Sequence, residues 1–245
     1  MSSSSTMQIA GKDVSITIYD GPFPTSRYQR NSEKLCAPKV RILFEADFFD
    51  GSKEHDAAFL GELWALVTEF PNLDWLLVTS HPENIRAMVP PRWFEFDRAS
   101  HPILSPSLWP SNVWLGAKVS SQEDANARIP HMTALPAASV YLSFEGLDHS
   151  IDFEYPKAIF PDGPGMCCNG YMCGCMGQPI DAPIIYGVHW AIGDFPEVYR
   201  DPDARPRWFN EIFFQLEHWN IPLLYKGLNG PNVAVSEFSE SAVAT

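Results

Sequence analysis

The residues best suited to chemistry in this sequence are four cysteines in the stretch PGMCCNGYMCGCMGQP, residues 164–179. Cys167, Cys168, Cys173 and Cys175 follow the spacing C-C-x4-C-x-C. Thiolates ligate zinc and iron–sulfur clusters, and the intervening glycines let this loop bend round an ion. Structural zinc sites usually use C-x2-C pairs, because two intervening residues let both sulfurs turn onto one ion. Adjacent cysteines and a C-x-C pair meet one ion less easily.

Three interpretations of the cysteines therefore stay open. They bind a metal, as zinc or an iron–sulfur cluster, or they form disulfides within the loop or between chains, or they remain reduced thiols without a ligand. Met166, Met172 and Met176 are soft donors that could favour Cu(I). Methionines also pack long loops against the body of a protein, so we do not predict copper.

The charge excludes some classes of partner. Seventeen Lys and Arg against 30 Asp and Glu give a formal net charge of −13. Phosphate contacts need clustered basic residues, so we expect neither nucleic acid nor an anionic membrane as a partner. No run approaches the roughly 18 apolar residues that span a bilayer. The start of the sequence does not resemble a signal peptide, so we expect a protein made in a cytoplasm.

Apolar and β-branched runs alternate with amphipathic ones along the chain. The strand-like runs are residues 14–20, 40–47, 74–80, 112–119, 138–145, 182–190 and 221–228. Helical patterns follow in HDAAFLGELWALVTEF, SSQEDANARIPHM and RPRWFNEIFFQLEHWN. Strands that alternate with helices indicate a parallel sheet with right-handed crossovers. We therefore predict an α/β fold, an incomplete and open TIM-barrel-like parallel sheet with flanking helices.

The composition predicts one domain between two tails. Residues 1–13 and 233–245 are polar and suit exposed tails. Residues 14–232 contain no linker, and we expect them to form a single α/β domain in which residues 161–179 are a cysteine-rich loop insertion. The segment 90–112 is rich in aromatic residues and proline, which suits either a cover over the barrel or a surface for a protein partner.

Four segments carry a resemblance to a known family: DWLLVTSHPENIRAMVP, NVWLGAKVSSQEDANARIP, SVYLSFEGLDHSIDF and IPLLYKGLNG. In this order they resemble an uncharacterised phage and bacterial family that has a three-cysteine motif near its N-terminus. That family is itself similar to the radical S-adenosylmethionine barrels. The resemblance implies a radical-SAM-like fold. It also makes Asp47, Glu145 and Lys226 weak catalytic candidates, because they match its acidic and basic positions at strand ends.

The chain lacks features of this family that radical chemistry requires. The similarity begins after the family's N-terminal cysteine-rich turn. Cys36 is the only cysteine in the first 160 residues of this chain. One thiolate cannot hold an iron–sulfur cluster, so we do not expect S-adenosylmethionine as a cofactor. Ser80 and His81 replace the basic pair expected between Thr79 and Pro82. These changes suit a degenerate member that has kept the scaffold for another task.

The histidines are a second group of candidate catalytic residues. His81, His149 and His189 lie near predicted strand ends, where an α/β barrel places its site. A pair of His189 with Asp47 or Glu145 would suit general acid–base catalysis. The alternative is that these histidines are polar groups satisfied at sheet ends or in loops.

These observations leave two functions from different classes. The first is a phage-derived, non-catalytic protein that binds other proteins in a virion-associated or assembly role. An intracellular factor that acts on the host would look the same in sequence. The second is a metalloprotein or enzyme that uses the cysteine-rich loop, with zinc or an iron–sulfur cluster, together with the acidic residues at strand ends.

Overall fold

The computed structural model describes residues 2–19, 40–51, 56–95, 108–137, 139–153, 187–219 and 221–225. In these ranges the strands are β1 (Ser2–Ile9), β2 (Lys12–Tyr19), β3 (Val40–Phe44), β4 (Leu73–Thr79), β5 (Val113–Val119), β6 (Ser139–Phe144), β7 (Trp190–Gly193) and β8 (Leu223–Tyr225). The α-helices are α1 (Ala57–Glu69), α2 (Ile85–Met88), α3 (Gln122–Thr133) and α4 (Arg207–His218). Short 3-10 segments lie at Pro82–Asn84, Pro91–Phe94, Glu197–Arg200 and Pro202–Ala204.

The eight described strands form one open, curled sheet whose spatial order follows the sequence order. Strands β3 to β8 are parallel, and each pairs with the next. Helices α1, α3 and α4 lie in the connections β3–β4, β5–β6 and β7–β8. This confirms an open α/β sheet with flanking helices, a half-barrel, but the sheet is mixed and not wholly parallel as predicted, because β1 and β2 pair antiparallel. The runs predicted at 74–80, 112–119 and 138–145 are parallel neighbours, as expected.

The N-terminal region differs from the prediction of a polar tail at residues 1–13. Ser2–Ile9 forms β1, which pairs antiparallel with β2, and β2 pairs antiparallel with β3. The two-residue turn at Ala10 and Gly11 has φ of 49° and 73°, the positive values that tight hairpins require. Serine-rich β1 is a strand at the sheet edge with mostly exposed side chains, which is why its polarity suggested a tail.

The strand predicted at residues 182–190 lies further along the chain. Pairing of β7 begins at Trp190, opposite Tyr141 of β6. Gly187, just before it, has φ of 89°, a left-handed conformation that a continuous strand does not contain. Residues 182–186 lie outside the described ranges, as do the predicted loop insertion at 161–179 and the C-terminal tail at 233–245.

The helices cover one face of the sheet. Helix α1 begins after Asp56, whose carboxylate accepts from two backbone N–H groups of the first turn, and α3 begins after Ser121, whose hydroxyl accepts from one. The helical spacing of this stretch puts Phe59, Leu60, Leu63, Trp64 and Val67 on one face; the structure buries all of them except Leu60, which is half-buried. These side chains form one cluster with the strand residues that point to the helical side.

The aromatic segment at 90–112 contributes to this helical layer where the structure describes it. Trp93 is 2% and Trp109 is 5% exposed. Trp93 lies edge-to-face with Trp64 of α1 at 4.9 Å between ring centroids, and with Trp109 at 5.1 Å. This part of the segment is therefore a cover over the helical side of the sheet. Residues 96–107 lie outside the described ranges.

The opposite, concave face of the sheet is filled by a second cluster. Its members are at most 4% exposed and come from six strands: Tyr19, Leu43, Leu76, Val78, Tyr141, Trp190, Ile192 and Leu224. Tyr141 and Trp190, opposite each other on β6 and β7, stack at 4.2 Å between centroids with 10° between their planes. The Tyr141 ring also lies over Gly116 of β5, where a Cβ atom would be 2.7 Å from the tyrosine hydroxyl oxygen and closer still to the ring.

This contact predicts that Gly116→Ala is strongly destabilising. The new methyl group would overlap the Tyr141 ring, which is held on its other side by Trp190, so the free energy of unfolding should fall by about 1–3 kcal/mol. Urea unfolding followed by circular dichroism measures this change. In a Tyr141→Ala background the same substitution should cost much less, because the clash is gone.

Gly61→Ala is the matched control. Gly61 lies inside α1, and a Cβ atom at this position would meet open space, with no neighbouring element of the described ranges within 4 Å. There the added methyl group should stabilise the protein by about 0.5–1 kcal/mol through helix propensity. If both alanine substitutions had the same effect, the packing of Tyr141 on Gly116 would be contradicted.

Candidate functional site

Charged and polar side chains gather where the parallel strands end. The carboxyl ends of parallel strands meet at one edge of a sheet, which is where α/β proteins place their sites. We call the group on the concave side of this edge the rim. It consists of Glu45, Lys118, Ser143, Glu145 and Asp194. Each is separated by an even number of positions from a concave-face residue of its own strand, so strand alternation directs it to that face.

Two hydrogen-bonded groups organise the rim. Lys118 Nζ lies 3.2 Å from Glu145 Oε2, and Ser143 Oγ donates to Glu145 Oε1 at 3.2 Å. On the other side of the curled sheet, Thr17 Oγ1 donates to Glu45 Oε1 at 2.5 Å. The charge of Glu145 is therefore balanced by Lys118. Glu45 has a hydroxyl partner and no cationic partner among the described residues.

Asp47, the second acidic candidate, bonds the end of β4. Its Oδ1 accepts from Thr79 Oγ1 at 2.6 Å, and its Oδ2 accepts from the backbone N–H of Ser80 at 2.8 Å. Thr79 Oγ1 in turn accepts from the backbone N–H of His81 at 2.8 Å. Both carboxylate oxygens thus fix the turn that follows β4. This arrangement makes Asp47 a residue that positions neighbouring backbone.

Two buried tyrosines lie beneath the rim. Burial, followed by the negative charges of Glu45 and Asp194, raises the pKa of Tyr19 to about 12. Burial also raises the pKa of Tyr141, with smaller contributions from Tyr19 and Glu145. Tyr141 is 0% exposed, and its hydroxyl has no hydrogen-bond partner among the described residues.

Sequence reasoning missed most of this group. Glu145 was a candidate, whereas Glu45, Lys118, Asp194 and the tyrosines were not. The period of two in SVYLSFE would have placed Tyr141, Ser143 and Glu145 on one face. The approach of Glu45 and Asp194 to Tyr19 depends on the curl of the sheet, for which the sequence has no local signal.

The histidine–carboxylate pairs considered for acid–base catalysis are wrong. His189 precedes β7, at the opposite end of the sheet from Asp47 and Glu145, and its Nδ1 accepts from the backbone N–H of Val140 at 3.1 Å. Burial lowers the pKa of His189, so its ring is a neutral acceptor that fixes the start of β6.

The other two histidines at strand ends have local partners. His81 Nδ1 lies 3.1 Å from Glu83, and His149 Nδ1 lies 2.7 Å from Asp148, with half of each ring exposed. Surface pairs of this kind contribute little stability. Each of the two histidines therefore has a carboxylate partner within its own loop.

The cysteine prediction lies outside the described residues, as does Lys226. Cys167, Cys168, Cys173 and Cys175 all fall in the undescribed range 154–186, so the metal site stays a prediction. Within the described ranges, no three His, Cys, Asp or Glu side chains come together to hold a metal ion. No helix in those ranges is long and apolar enough to cross a membrane.

The bonds of Asp47 predict a structural effect of its removal. Asp47→Ala deletes the acceptor of two hydrogen bonds at the end of β4, so the free energy of unfolding should fall by about 1.5–3 kcal/mol. Urea unfolding measures this change. The exposed Asp148, replaced by alanine, is the control and should leave the unfolding midpoint where it is. An Asp47 variant as stable as the wild type would contradict the positioning role.

The buried tyrosines predict a loss of stability in alkaline solution. Since the pKa of Tyr19 rises from 10.0 to about 12 on folding, the unfolded chain releases a proton in this range that the folded chain keeps. Stability is therefore complete below pH 10 and falls as the pH rises toward 12. Tyr141→Phe removes the second such hydroxyl, so its stability should fall less steeply with pH.

Urea midpoints measured across this pH range, with tyrosinate absorbance on the same samples, check the expectation. At neutral pH, Tyr141→Phe should be about 1 kcal/mol more stable than the wild type, because a buried hydroxyl without a partner among the described residues is removed. Ile192→Val loses one methyl group from the same cluster and keeps both hydroxyls. This variant should lower the urea midpoint equally at every pH. An equal change in the pH dependence of both variants would contradict the role of the tyrosine hydroxyls.

Comparison with known proteins gives one relationship. No curated protein and no solved structure matches the chain. A family model described as "Protein of unknown function (DUF5131)" matches residues 22–240, a range that contains β3 to β8 and the four described helices. The prediction that the chain belongs to an uncharacterised family is confirmed. The chain belongs to the DUF5131 family of proteins of unknown function.

Proposed function

We propose that this protein is a phage-derived, non-catalytic protein that binds other proteins, in a virion-associated or assembly role. In this proposal its scaffold is a degenerate relative of the radical S-adenosylmethionine barrels. The observation that supports it most is the use of the strand-end carboxylates as structural groups. The half-barrel and its order of parallel strands are compatible with the scaffold that the resemblance implies.

A general acid or base must reach a proton of its substrate. Asp47 has both oxygens bonded to the turn after β4. Glu145 has one oxygen on Lys118 and the other on Ser143, which joins β5 to β6. The two catalytic candidates in the described ranges thus hold neighbouring strands together, which favours a scaffold over a catalyst.

The residues of the described half-barrel do not fit an iron–sulfur cluster with S-adenosylmethionine. All five cysteines, Cys36 and the four of the loop, lie outside the described ranges, so these strands supply no thiolate. The middle of the concave face is occupied by the stacked rings of Tyr141 and Trp190. No step of radical chemistry is therefore assigned to this face.

The charge and the cysteines suggest the kind of assembly. A net charge of −13 favours a partner with a basic protein surface, because complementary charge speeds association and selects partners. The four cysteines of residues 164–179 would be able to crosslink chains once a particle leaves the reducing cytoplasm.

Analysis of purified particles tests the virion role. Particles released from a host that carries the gene should contain this chain at a fixed ratio to the other particle proteins after density-gradient purification, as measured by quantitative peptide mass spectrometry. Non-reducing electrophoresis of the same particles should show covalent multimers if the cysteines crosslink. Absence of the chain from particles, with abundant chain in the infected cytoplasm, would contradict a virion role.

A metalloprotein or enzyme that uses the cysteine-rich loop is the second candidate, favoured by the density of thiols there. Native mass spectrometry of anaerobically purified protein separates the two. The first proposal predicts a mass equal to the bare chain. An excess equal to zinc or an iron–sulfur cluster, lost on chelation, would support the second. Release of 5′-deoxyadenosine from S-adenosylmethionine after reconstitution with iron and sulfide would overturn the non-catalytic assignment.

A further inference from the structure

We propose that the outer edge of β1 pairs with β1 of a second copy of this chain, antiparallel and across a two-fold axis at Ser5. The dimer would continue the eight-stranded sheet of one copy into that of the other. This inference goes beyond the proposed function and does not depend on it. It rests on the backbone of an edge strand and on the symmetry of its register.

Among the described residues, the backbone of β1 is paired on one side only. Its eight residues, Ser2–Ile9, pair with β2 and with no other described strand. The turn at Ala10 and Gly11 has positive φ at both positions, as a two-residue type I′ hairpin requires, so Ile9 and Lys12 exchange both backbone hydrogen bonds. Alternation then directs away from β2 the N–H and C=O groups of Ser2, Ser4, Thr6 and Gln8. A strand added at this edge would bond to them.

Strand β1 lacks the features by which proteins usually protect a sheet edge. Protected edge strands are short, or they carry a charged side chain, a proline or a β-bulge. Ser2–Ile9 contains neither a charged residue nor a proline, and its register runs from Ser2 opposite Tyr19 to Ile9 opposite Lys12 without a bulge. The other edge of the described sheet, β8, has only three residues. Of the two described edges, β1 is therefore the one suited to pairing.

The distribution of charge favours a second copy as the occupant of this edge. The chain has a formal net charge of −13, yet none of that charge lies on Ser2–Ile9. Two copies can therefore meet at β1 without opposing like charges on the paired strands. A basic partner would gain no attraction from this strand, so complementary charge does not select a different protein here.

Symmetry makes β1 complementary to itself. With the axis at Ser5, Ser4 of one copy faces Thr6 of the other and Ser2 faces Gln8, so the residues with outward backbone groups are opposite each other. The side chains of Ser4 and Thr6 are exposed, and paired hydroxyl side chains stabilise neighbouring strands. Because both copies use the same edge, the assembly closes at two chains.

Helix α1 holds the hairpin in place before any partner binds. The backbone N–H of Ala10 donates to Glu62 at 2.8 Å, Lys12 Nζ lies 3.0 Å from Asp56, and the Ile9 side chain is 0% exposed. An ordered edge lowers the entropy lost on association. A single pair of strands buries less than about 1,200 Å², the range of weak complexes, so we expect a dissociation constant of micromolar order or weaker.

Sedimentation equilibrium of the full chain tests this dimer, with reductant present so that cysteine crosslinks do not contribute. Concentrations up to about 1 mM cover the affinity range expected for a small interface. Ser5→Lys and Ser5→Glu each place like charges together at the axis and should weaken the dimer about tenfold or more. An equimolar mixture of the two variants should restore association. Ser150→Lys, a charge added at an exposed position after β6, should behave like the wild type.

A disulfide tests the register. At the axis, Ser5 would face its own copy as a non-hydrogen-bonded pair, with Cα atoms about 4.5 Å apart, a separation that a disulfide spans. On mild oxidation, Ser5→Cys should join two chains at position 5, as shown by mass spectrometry of the linked peptide. Ser4→Cys is the control and should crosslink much less at its own position, because Ser4 faces Thr6.

A wild-type chain that stays monomeric at the highest concentration would overturn the inference. So would a dimer that Ser5→Lys leaves as tight as Ser150→Lys does, since β1 would then lie outside the interface. Neither result would affect the presence of the chain in particles, so this inference and the proposed function fail separately.

Discussion

The packing of one tyrosine ring between a glycine and a tryptophan determines the inside of this half-barrel. Tyr141 can lie flat on β5 only because Gly116 has no side chain, and Trp190 of β7 closes the stack from the other side. Three adjacent strands are thereby locked in one register on the concave face. The same packing holds the tyrosine hydroxyl in a fixed position against β5.

The two ends of the concave face differ in how their charged side chains are paired. At the amino ends of the strands, Arg41 lies 3.4 Å from Asp74, both almost fully buried, and its guanidinium lies over the Trp114 ring at 5.2 Å. A buried pair with an aromatic neighbour is closed to ligands and tends to favour a specific arrangement over raw stability. At the carboxyl ends, by contrast, negative charge is left without a matching cation among the described residues. The two ends therefore differ in charge balance: the negative charge of Asp74 is paired at the amino ends, and that of Glu45 and Asp194 is not paired by a described cation at the carboxyl ends.

Much of the fold could be predicted from local sequence patterns, and the site could not. The runs that became β3 to β6 are apolar nearly throughout because both of their faces are buried, one by helices and the other by the concave cluster. The caps at Asp56 and Ser121 are local signals that set where α1 and α3 begin. Strand β1 was missed because an edge strand with exposed side chains needs no apolar pattern.

The wrong placement of His189 shows that local sequence patterns do not fix the exact start of a strand. An apolar run at 182–190 suggested a strand with the histidine at its carboxyl end, whereas the paired strand begins at Trp190. A shift of one strand length therefore moved the histidine from the edge where sites form to the opposite edge. The curl that brings Glu45 and Asp194 near Tyr19 is likewise set by the pairing of all eight described strands.

The strand-end carboxylates differ in how fully their oxygens are bonded. Glu145 and Asp47 have their oxygens bonded to adjacent strands or turns, so they contribute to the fold. Glu45 accepts one hydrogen bond, from Thr17, and Asp194 is exposed, so both keep acceptor capacity, whereas the buried Tyr141 hydroxyl has no partner among the described residues. Natural proteins rarely keep a buried polar group without a partner unless it serves a function, since the apolar isostere is more stable. A phenylalanine at position 141 would pack as well against Gly116 and Trp190, so the hydroxyl adds nothing to the stability of this packing.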